Sequence, residues 1–279
     1  MVAMVKKADR SVQPFDKAKI VKTCLRMGAN REIAEEISEK IEAKAYDGME
    51  TEVILQMIFS HLRKHRPLIR HFLDLRKGLS LLRSKPDFER FVQIMLIEKG
   101  CRVSSNRIIR GRCTEHEVDA IASKDDVTYF VEVKHHLNYH TPTGLDESRI
   151  ARAVLEDVTE GRELGLNNFE IDRAMIVTNT KFSEHAKQYG ECRGISLIGW
   201  SYPPYQGLQD IIEERKLYPI TCLKRLKQET MMKLSSVGIV TMKQLVREEP
   251  EDLATKTELE RKTLETIRDK AKSYLSSSP

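Results

Sequence analysis

Glu117-Val118-Asp119-Ala120-Ile121-Ala122 and Val127-Thr128-Tyr129-Phe130-Val131-Glu132-Val133-Lys134 are two runs of strand-forming residues, separated by a turn signal at Asp125-Asp126. β-Branched and aromatic residues bounded by Asp clusters read as a β-hairpin. Side chains alternate along a strand, so Glu132 and Lys134 share one face while Val131 and Val133 point to the other. If the two strands pair antiparallel, Asp119 comes close to Glu132. Two carboxylates and an ammonium then converge at a sheet edge. Neighbouring carboxylates repel and raise each other's pKa. A hard divalent cation such as Mg²⁺ or Mn²⁺ removes that conflict, polarises a phosphoryl oxygen and lowers the pKa of bound water. Lys134 then orients or deprotonates the water, or stabilises the charge of the transition state. The competing reading is a surface hairpin with Glu and Lys on its solvated face. A Glu-x-Lys alone is common, and Asp119 on the preceding strand makes it more specific.

Outward from the hairpin, the pattern predicts a helix from Pro86 carrying Phe88, Phe91, Val92, Met95 and Leu96, ended by Gly100. Strand signals stand at Cys101–Val103 and Ile108–Ile109. After a polar segment, 135–146, come a helix from about Glu147 to Leu164, an apolar strand Arg173–Thr178, a helix capped by Ser183, and a short strand Ile195–Ile198. This order predicts an α/β sandwich around a mixed sheet. On the N-terminal side, a strand is expected at 4–7. Helices are expected over Asp16–Met27 and 31–45, from Thr51, and after Pro67 with Leu68, Phe72, Leu75, Leu79 and Leu82. On the C-terminal side, short helices are expected near 208–215, 222–234, 241–247 and 258–275. Ser84-Lys85-Pro86-Asp87 and Pro203-Pro204 are the boundary signals, giving domains 1–85, 86–203 and 204–279.

The chain has 279 residues, 40% hydrophobic and 32% charged, which fits a soluble multidomain α/β protein. No apolar run approaches the roughly 18 residues of a membrane helix, and the N-terminus lacks the apolar core of a secretory signal. The five cysteines are scattered with no Cys-x-x-Cys pair, which argues for a reducing, cytoplasmic setting. Net charge is +5, unevenly spread. Residues 1–85 carry +7, residues 86–215 carry −6, and residues 216–279 carry +4. Basic ends attract phosphates, whereas an acidic middle that meets a polyanion needs a cation. Solvated helix faces are the plainer account of the same charges.

The stretch from Phe88 to Trp200 resembles Mrr-like restriction endonucleases and archaeal Holliday-junction resolvases of the PD-(D/E)xK superfamily. The resemblance rests on Phe88-Glu89-Arg90-Phe91 through Gly100-Cys101-Arg102-Val103, Glu117-Val118-Asp119, Val131-Glu132-Val133-Lys134, Val177-Thr178-Asn179, Phe182-Ser183-Glu184-His185-Ala186 and Arg193-Gly194-Ile195-Ser196-Leu197-Ile198, in family order. It implies a mixed-sheet α/β/α nuclease fold, with Asp119, Glu132 and Lys134 catalytic. It also implies a metal held by Asp119, Glu132 and the helix-borne Glu89. The approach to Asp119, Arg112-Cys113-Thr114-Glu115-His116, lacks the family's glycines. His135, His136 and His140 follow Lys134 directly. They read as phosphate contacts, a general acid (His135 foremost), ligands for a softer metal, or ordinary loop residues.

The start, Val5-Lys6-Lys7-Ala8-Asp9-Arg10 followed by Phe15-Asp16-Lys17-Ala18-Lys19-Ile20 and later Tyr46-Asp47-Gly48-Met49-Glu50-Thr51, resembles the ATP-cone. This is the nucleotide-binding regulatory module of ribonucleotide reductases and their repressors. It implies ATP or dATP as effector, met by Lys6, Lys7, Lys19 and Thr51. Ala8 and Arg10 depart from the pattern, standing for its second basic residue and its turn glycine. At the other end, Leu234 to Leu245 around Gly238 looks like a helix-hairpin-helix segment, whose loop amides would grip a DNA phosphate. A small helical packing domain fits equally well. The combined expectation is a nucleotide-regulated, Mg²⁺-dependent DNA endonuclease, by family analogy a homodimer. The alternatives are a nucleotide-responsive nucleic-acid-binding regulator that does not cleave, and a reductase-linked nucleotide sensor without DNA contact.

Overall fold

The computed structural model describes residues 2–7, 10–27, 29–65 and 73–277. The N-terminal unit is a three-stranded sheet with helices packed on it. Strands β1 (Met4–Lys6), β2 (Val12–Pro14) and β3 (Met49–Glu50) lie in the order β2-β1-β3. Helices α1 (Lys17–Arg26), α2 (Arg31–Glu42) and α3 (Thr51–His65) cover it. Asp16 caps α1 by accepting from the amides of Ala18 and Lys19, and Asn30 caps α2 by accepting from Ile33. Both satisfy amides that have no partner within the helix. Val5, Phe15, Ile20, Ile37, Ile41, Ile58 and Leu62 belong to this unit's own core. Strands β2 and β3, of three and two residues, are too short to show a period in the sequence.

The expected helix after Pro67 is α4, Leu75–Ser80, and Leu68 and Phe72 lie outside the described residues. Leu79 and Leu82 do not join the N-terminal core but pack with Phe88, Phe91 and Val92. The packing border therefore falls before α4, ahead of the boundary that the sequence placed at 85. The reason is that an apolar face follows its partner helix, whereas Pro and polar clusters mark only where the chain turns.

The central unit is a five-stranded sheet in the order β4-β5-β6-β7-β8: Arg102–Arg110, Glu115–Lys124, Val127–Lys134, Arg173–Thr178 and Ser196–Ile198. β4, β5 and β6 pair antiparallel, and β6, β7 and β8 parallel. Along β7, Ala174 and Ile176 face one core while Met175 and Val177 face the other. That accounts for its unbroken apolar run, as expected of a parallel strand covered on both sides. Helix α5 (Glu89–Glu98) covers one face, and α6 (Leu145–Glu163) and α7 (Glu184–Arg193) the other. β4 is a single nine-residue strand where the sequence showed two fragments. Its middle, Ser104-Ser105-Asn106-Arg107, is polar because an edge strand leaves one side to solvent.

C-terminal helices α8 (Leu208–Arg215), α9 (Gln228–Ser236), α10 (Met242–Arg247), α11 (Pro250–Thr257) and α12 (Arg261–Ser277) complete the chain. Their apolar residues, among them Leu208, Ile211, Leu234, Leu245, Leu253 and Leu264, form one continuous core with α5 and the sheet. The turn after Tyr202 thus separates two stretches of sequence but not two cores. α11 was missed, although Pro250 stands at its first position, where proline is favoured.

Candidate active site and nucleotide cavity

β5 and β6 are hydrogen-bonded from Lys124↔Val127 as far as Ala120↔Val131. The strand is distorted at Asp119. Its neighbours Val118 and Ala120, which would share a face in a regular strand, lie in cores on opposite sides of the sheet. Across on β4, Asn106 has φ of 35°. The buried Asp119 carboxylate turns toward β6, and its Oδ2 accepts from the Val133 amide at 2.8 Å. A side chain thus supplies the rung that the backbone ladder drops.

Glu132 and Lys134 project together, 3.0 Å apart. Glu147, in the first turn of α6, meets the Lys134 ammonium at 2.9 Å from the other side. Burial by itself would lower the Lys134 pKa, but Glu147 and Glu132 outweigh it and hold it above its ordinary value. Lys134 is therefore an ammonium. Burial is also the leading cause that pushes the Glu132 carboxyl up, with the charge of Asp119 adding to it.

Glu89, on the first turn of α5, is buried beside Asp119. Between them sits the Lys85 ammonium, 3.1 Å from Glu89, 3.2 Å from Glu117 and 3.5 Å from Asp119. Burial, followed by the neighbouring Asp119 charge, raises the Glu89 pKa. Lys85 has extended backbone (φ −119°, ψ 134°) at a kink within the turn Ser84–Phe88. That turn is anchored by a two-pronged Arg83–Asp87 pair at 2.8 and 2.9 Å, and by Ser235, which bonds Asp87. Sequence reading took this segment as a boundary and missed Lys85. No local pattern signalled it, because Lys85 stands in extended backbone ahead of α5 and the i,i+4 spacing of a helix face does not apply.

Of the residues expected at the centre, the structure pairs Glu89 with Asp119 and Glu132 with Lys134, and turns His135 toward Leu79 instead. The His135 ring packs 5.0 Å from that of Phe88, and its Nε2 lies 3.1 Å from the Leu79 carbonyl. Its position continues the Val131–Val133 side, so strand alternation carries it away from Lys134. The burial that results lowers its pKa. His136 is 3.2 Å from the Thr143 hydroxyl, and Asn179 holds its backbone at both ends, each at 2.8 Å.

The two nearly buried carboxylates Glu89 and Asp119 share the Lys85 ammonium, and their oxygens are of the donor type that suits a hard divalent ion. Among the described residues, no three Asp, Glu, His or Cys side chains already form a metal cage. Glu132 is the separated member, drawn instead to Lys134.

In the N-terminal unit, Lys19 and Thr51 line a cavity of about 410 Å³. Lys6 and Lys7 are not in its lining. Val5 turns inward from β1, which sends Lys6 outward, and the Lys7 backbone is engaged in the following turn with Arg10 and Ser11. Arg10 adopts φ of 66°, the left-handed conformation for which the family pattern uses glycine. In the C-terminal turn, the amides of Val237, Gly238, Ile239, Val240 and Thr241 all donate within the turn and its helices. The phosphate grip expected of a helix-hairpin-helix loop therefore has no amide left to offer there.

Comparison with known proteins fits this architecture. Residues 3–77 match the ATP cone domain, residues 83–200 a restriction endonuclease domain, and residues 218–274 an AF1548-like C-terminal domain. The fold is thus an ATP cone joined to a restriction-endonuclease-like domain and a helical C-terminal region. An uncharacterized protein of Archaeoglobus fulgidus is 38% identical over 152 residues, 54% of this chain and 82% of that protein. A second from the same organism is 47% identical over 38 residues, 14% of this chain and 81% of that protein. The crystal structure of AF1548, titled a protein of unknown function, aligns with a TM-score of 0.59 at 33% identity, covering 74% of this chain and all of that one. The chain belongs to the AF1548-like family.

Proposed function

We propose that this protein is a divalent-metal-dependent DNA endonuclease whose activity responds to ATP or dATP. The observation that carries the reading is the placement of Lys134 between Glu132 and Glu147, with Glu132 in turn feeling the charge of Asp119, the buried partner of Glu89. A divalent cation held by Glu89, Asp119 and Glu132 would polarise the scissile phosphoryl oxygen and lower the pKa of the attacking water. Lys134 would contribute positive charge to the transition state. Glu147 positions Lys134 from α6. The Val133 amide fixes one oxygen of Asp119 and leaves the other directed at the shared cation.

The test is cleavage of linear, branched and single-stranded DNA with Mg²⁺ or Mn²⁺, with and without ATP. Lys134→Ala is expected to reduce cleavage by about 10²-fold or more, the usual effect of removing one transition-state donor. Cleavage unchanged in that variant defeats the reading. The position of Lys85 favours a second reading, in which the ammonium is a permanent cation and the protein binds nucleic acid without cutting it. Salt-sensitive DNA binding with no metal-dependent cleavage would support that one.

A further inference from the structure

The cavity that holds Lys19 and Thr51 is not closed by the N-terminal unit alone. Arg76 of α4, Tyr139 of the loop after β6, Trp200 after β8, and Tyr218 and Tyr274 of the C-terminal region complete its wall. We propose that this composite cavity takes a nucleoside phosphate, and that Arg76 transmits its occupancy to the loop that leaves the Lys134 strand. The inference rests on the nucleotide reading of the N-terminal unit and deepens it by naming the relay.

The ligand class follows from the lining. Its size is ordinary for a small-molecule site. Phe15, Phe59, Tyr139 and Trp200 present rings against which a flat base can stack. The Arg76 guanidinium lies 5.1 Å from the Tyr139 ring and 5.5 Å from the Trp200 ring. Its Nη2 donates to the Tyr139 carbonyl at 2.5 Å, while its Nε is buried with no hydrogen-bond partner among the described residues. The nearby Asp74 carboxylate does not meet this need. Its Oδ1 caps α4 by accepting from the Arg76 and Lys77 amides. Of the other acids on the wall, Asp16 is paired with Lys19 and Glu213 with Arg26, while Glu52 adds its negative charge beside Asp74 and Tyr139. A buried guanidinium N–H without an acceptor calls for an anion, and a phosphate matches its fork.

The relay follows from α4. It touches the loop after Lys134 twice, through Arg76 to the Tyr139 carbonyl and through the Leu79 carbonyl to His135. On its other side it is held to the C-terminal region, where Thr221 donates to the Gly78 carbonyl at 2.7 Å and Leu73 to the Cys222 carbonyl at 2.8 Å. With α4 fixed, a phosphate that satisfies Nε leaves Nη2 on Tyr139. That locks the guanidinium, and with it residues 135–140.

Trp200 is the only tryptophan of the chain, so its emission reports on the cavity. The full chain is titrated with ATP, and separately with inorganic tripolyphosphate, while Trp200 fluorescence and backbone amide exchange are followed without DNA. ATP is expected to change Trp200 emission saturably and to slow exchange both in α1 and at 137–142. Arg76→Ala is expected to weaken ATP at least tenfold and to abolish the protection at 137–142. Arg76→Lys, which keeps the charge but not the fork, should be intermediate, and it carries the test if the alanine variant does not fold. Saturable ATP binding by equilibrium dialysis with Trp200 emission and loop exchange unchanged overturns the inference and leaves the nucleotide reading standing. No ATP binding defeats both. Tripolyphosphate reproducing the full response overturns the nucleoside assignment.

Discussion

Lys85→Met offers the sharpest measurement on the candidate metal site. The wild-type ammonium lies within 3.5 Å of Glu89, Glu117 and Asp119. Methionine preserves the stem and removes the charge. Bare Coulomb attraction at such distances is several kcal/mol per pair at an effective dielectric constant of about 20. However, the Lys85 side chain is 60% exposed, and solvent reduces each pair to about 0.2–1 kcal/mol. Three pairs together are then worth about 1–2 kcal/mol. Without a metal, the variant should be destabilised by about that amount in urea unfolding, because Glu89 and Asp119 are left to repel each other. A divalent cation no longer has to displace an ammonium in the variant, so Mn²⁺ should bind about tenfold more tightly, equivalent to about 1.4 kcal/mol. Isothermal titration calorimetry with Mn²⁺ measures this directly, and saturating Mn²⁺ should close the gap in stability. Equal or weaker Mn²⁺ affinity in Lys85→Met would show that the ammonium does not stand where the ion goes.

Other expectations concern pH, packing and the effector. Asp157 accepts from His116 at 2.7 Å and from the Cys113 amide at 2.8 Å, and these bonds, His116 first, hold its carboxyl well below the usual range. A depressed carboxyl contributes stability above its unfolded value of about 4 and loses it as pH falls through the window beneath. Asp157→Asn should accordingly lower the urea midpoint at pH 6 and flatten its decline below pH 4. Gly78→Ala would bring a methyl to 2.2 Å from the Cys222 Sγ and is expected to cost about 1–3 kcal/mol by overpacking, less a gain of at most about 1 kcal/mol in helix propensity. Adding Cys222→Ala should restore part of the loss in thermal unfolding. Lys19→Ala should weaken ATP binding more than Lys6→Ala, since only Lys19 lines the cavity; equal effects in a binding titration would count against the cavity as the nucleotide site.

The sequence carried the hairpin, the Glu-x-Lys pair and the order of elements in the central sheet, because each is written within a few residues as alternation, turn chemistry or an apolar run. It also carried the cap at Ser183, which acts through the amide of Ala186 three residues on. What it did not carry depends on long-range contact. Glu147 reaches Lys134 only because α6 starts against the end of β6. Lys85 reaches Glu117 across 32 positions. His135 was legible as a residue but not as a direction. Its imidazole is claimed by Leu79 and Phe88, 56 and 47 positions away, and no local pattern encodes that choice.

The placement of α4 bears on how this chain can be dissected. Similarity to the ATP cone runs to residue 77, yet Leu79 and Leu82, just beyond it, are wedged into the hydrophobic interior shared by α5 and the C-terminal helices. A fragment begun at residue 83, where the endonuclease similarity starts, would lack the roof over Phe88 and the carbonyl that holds His135. The helix that closes the cone similarity thus runs into the core of the domain that follows. Swapping cones between relatives should therefore succeed only when the crossover is made upstream of Leu75.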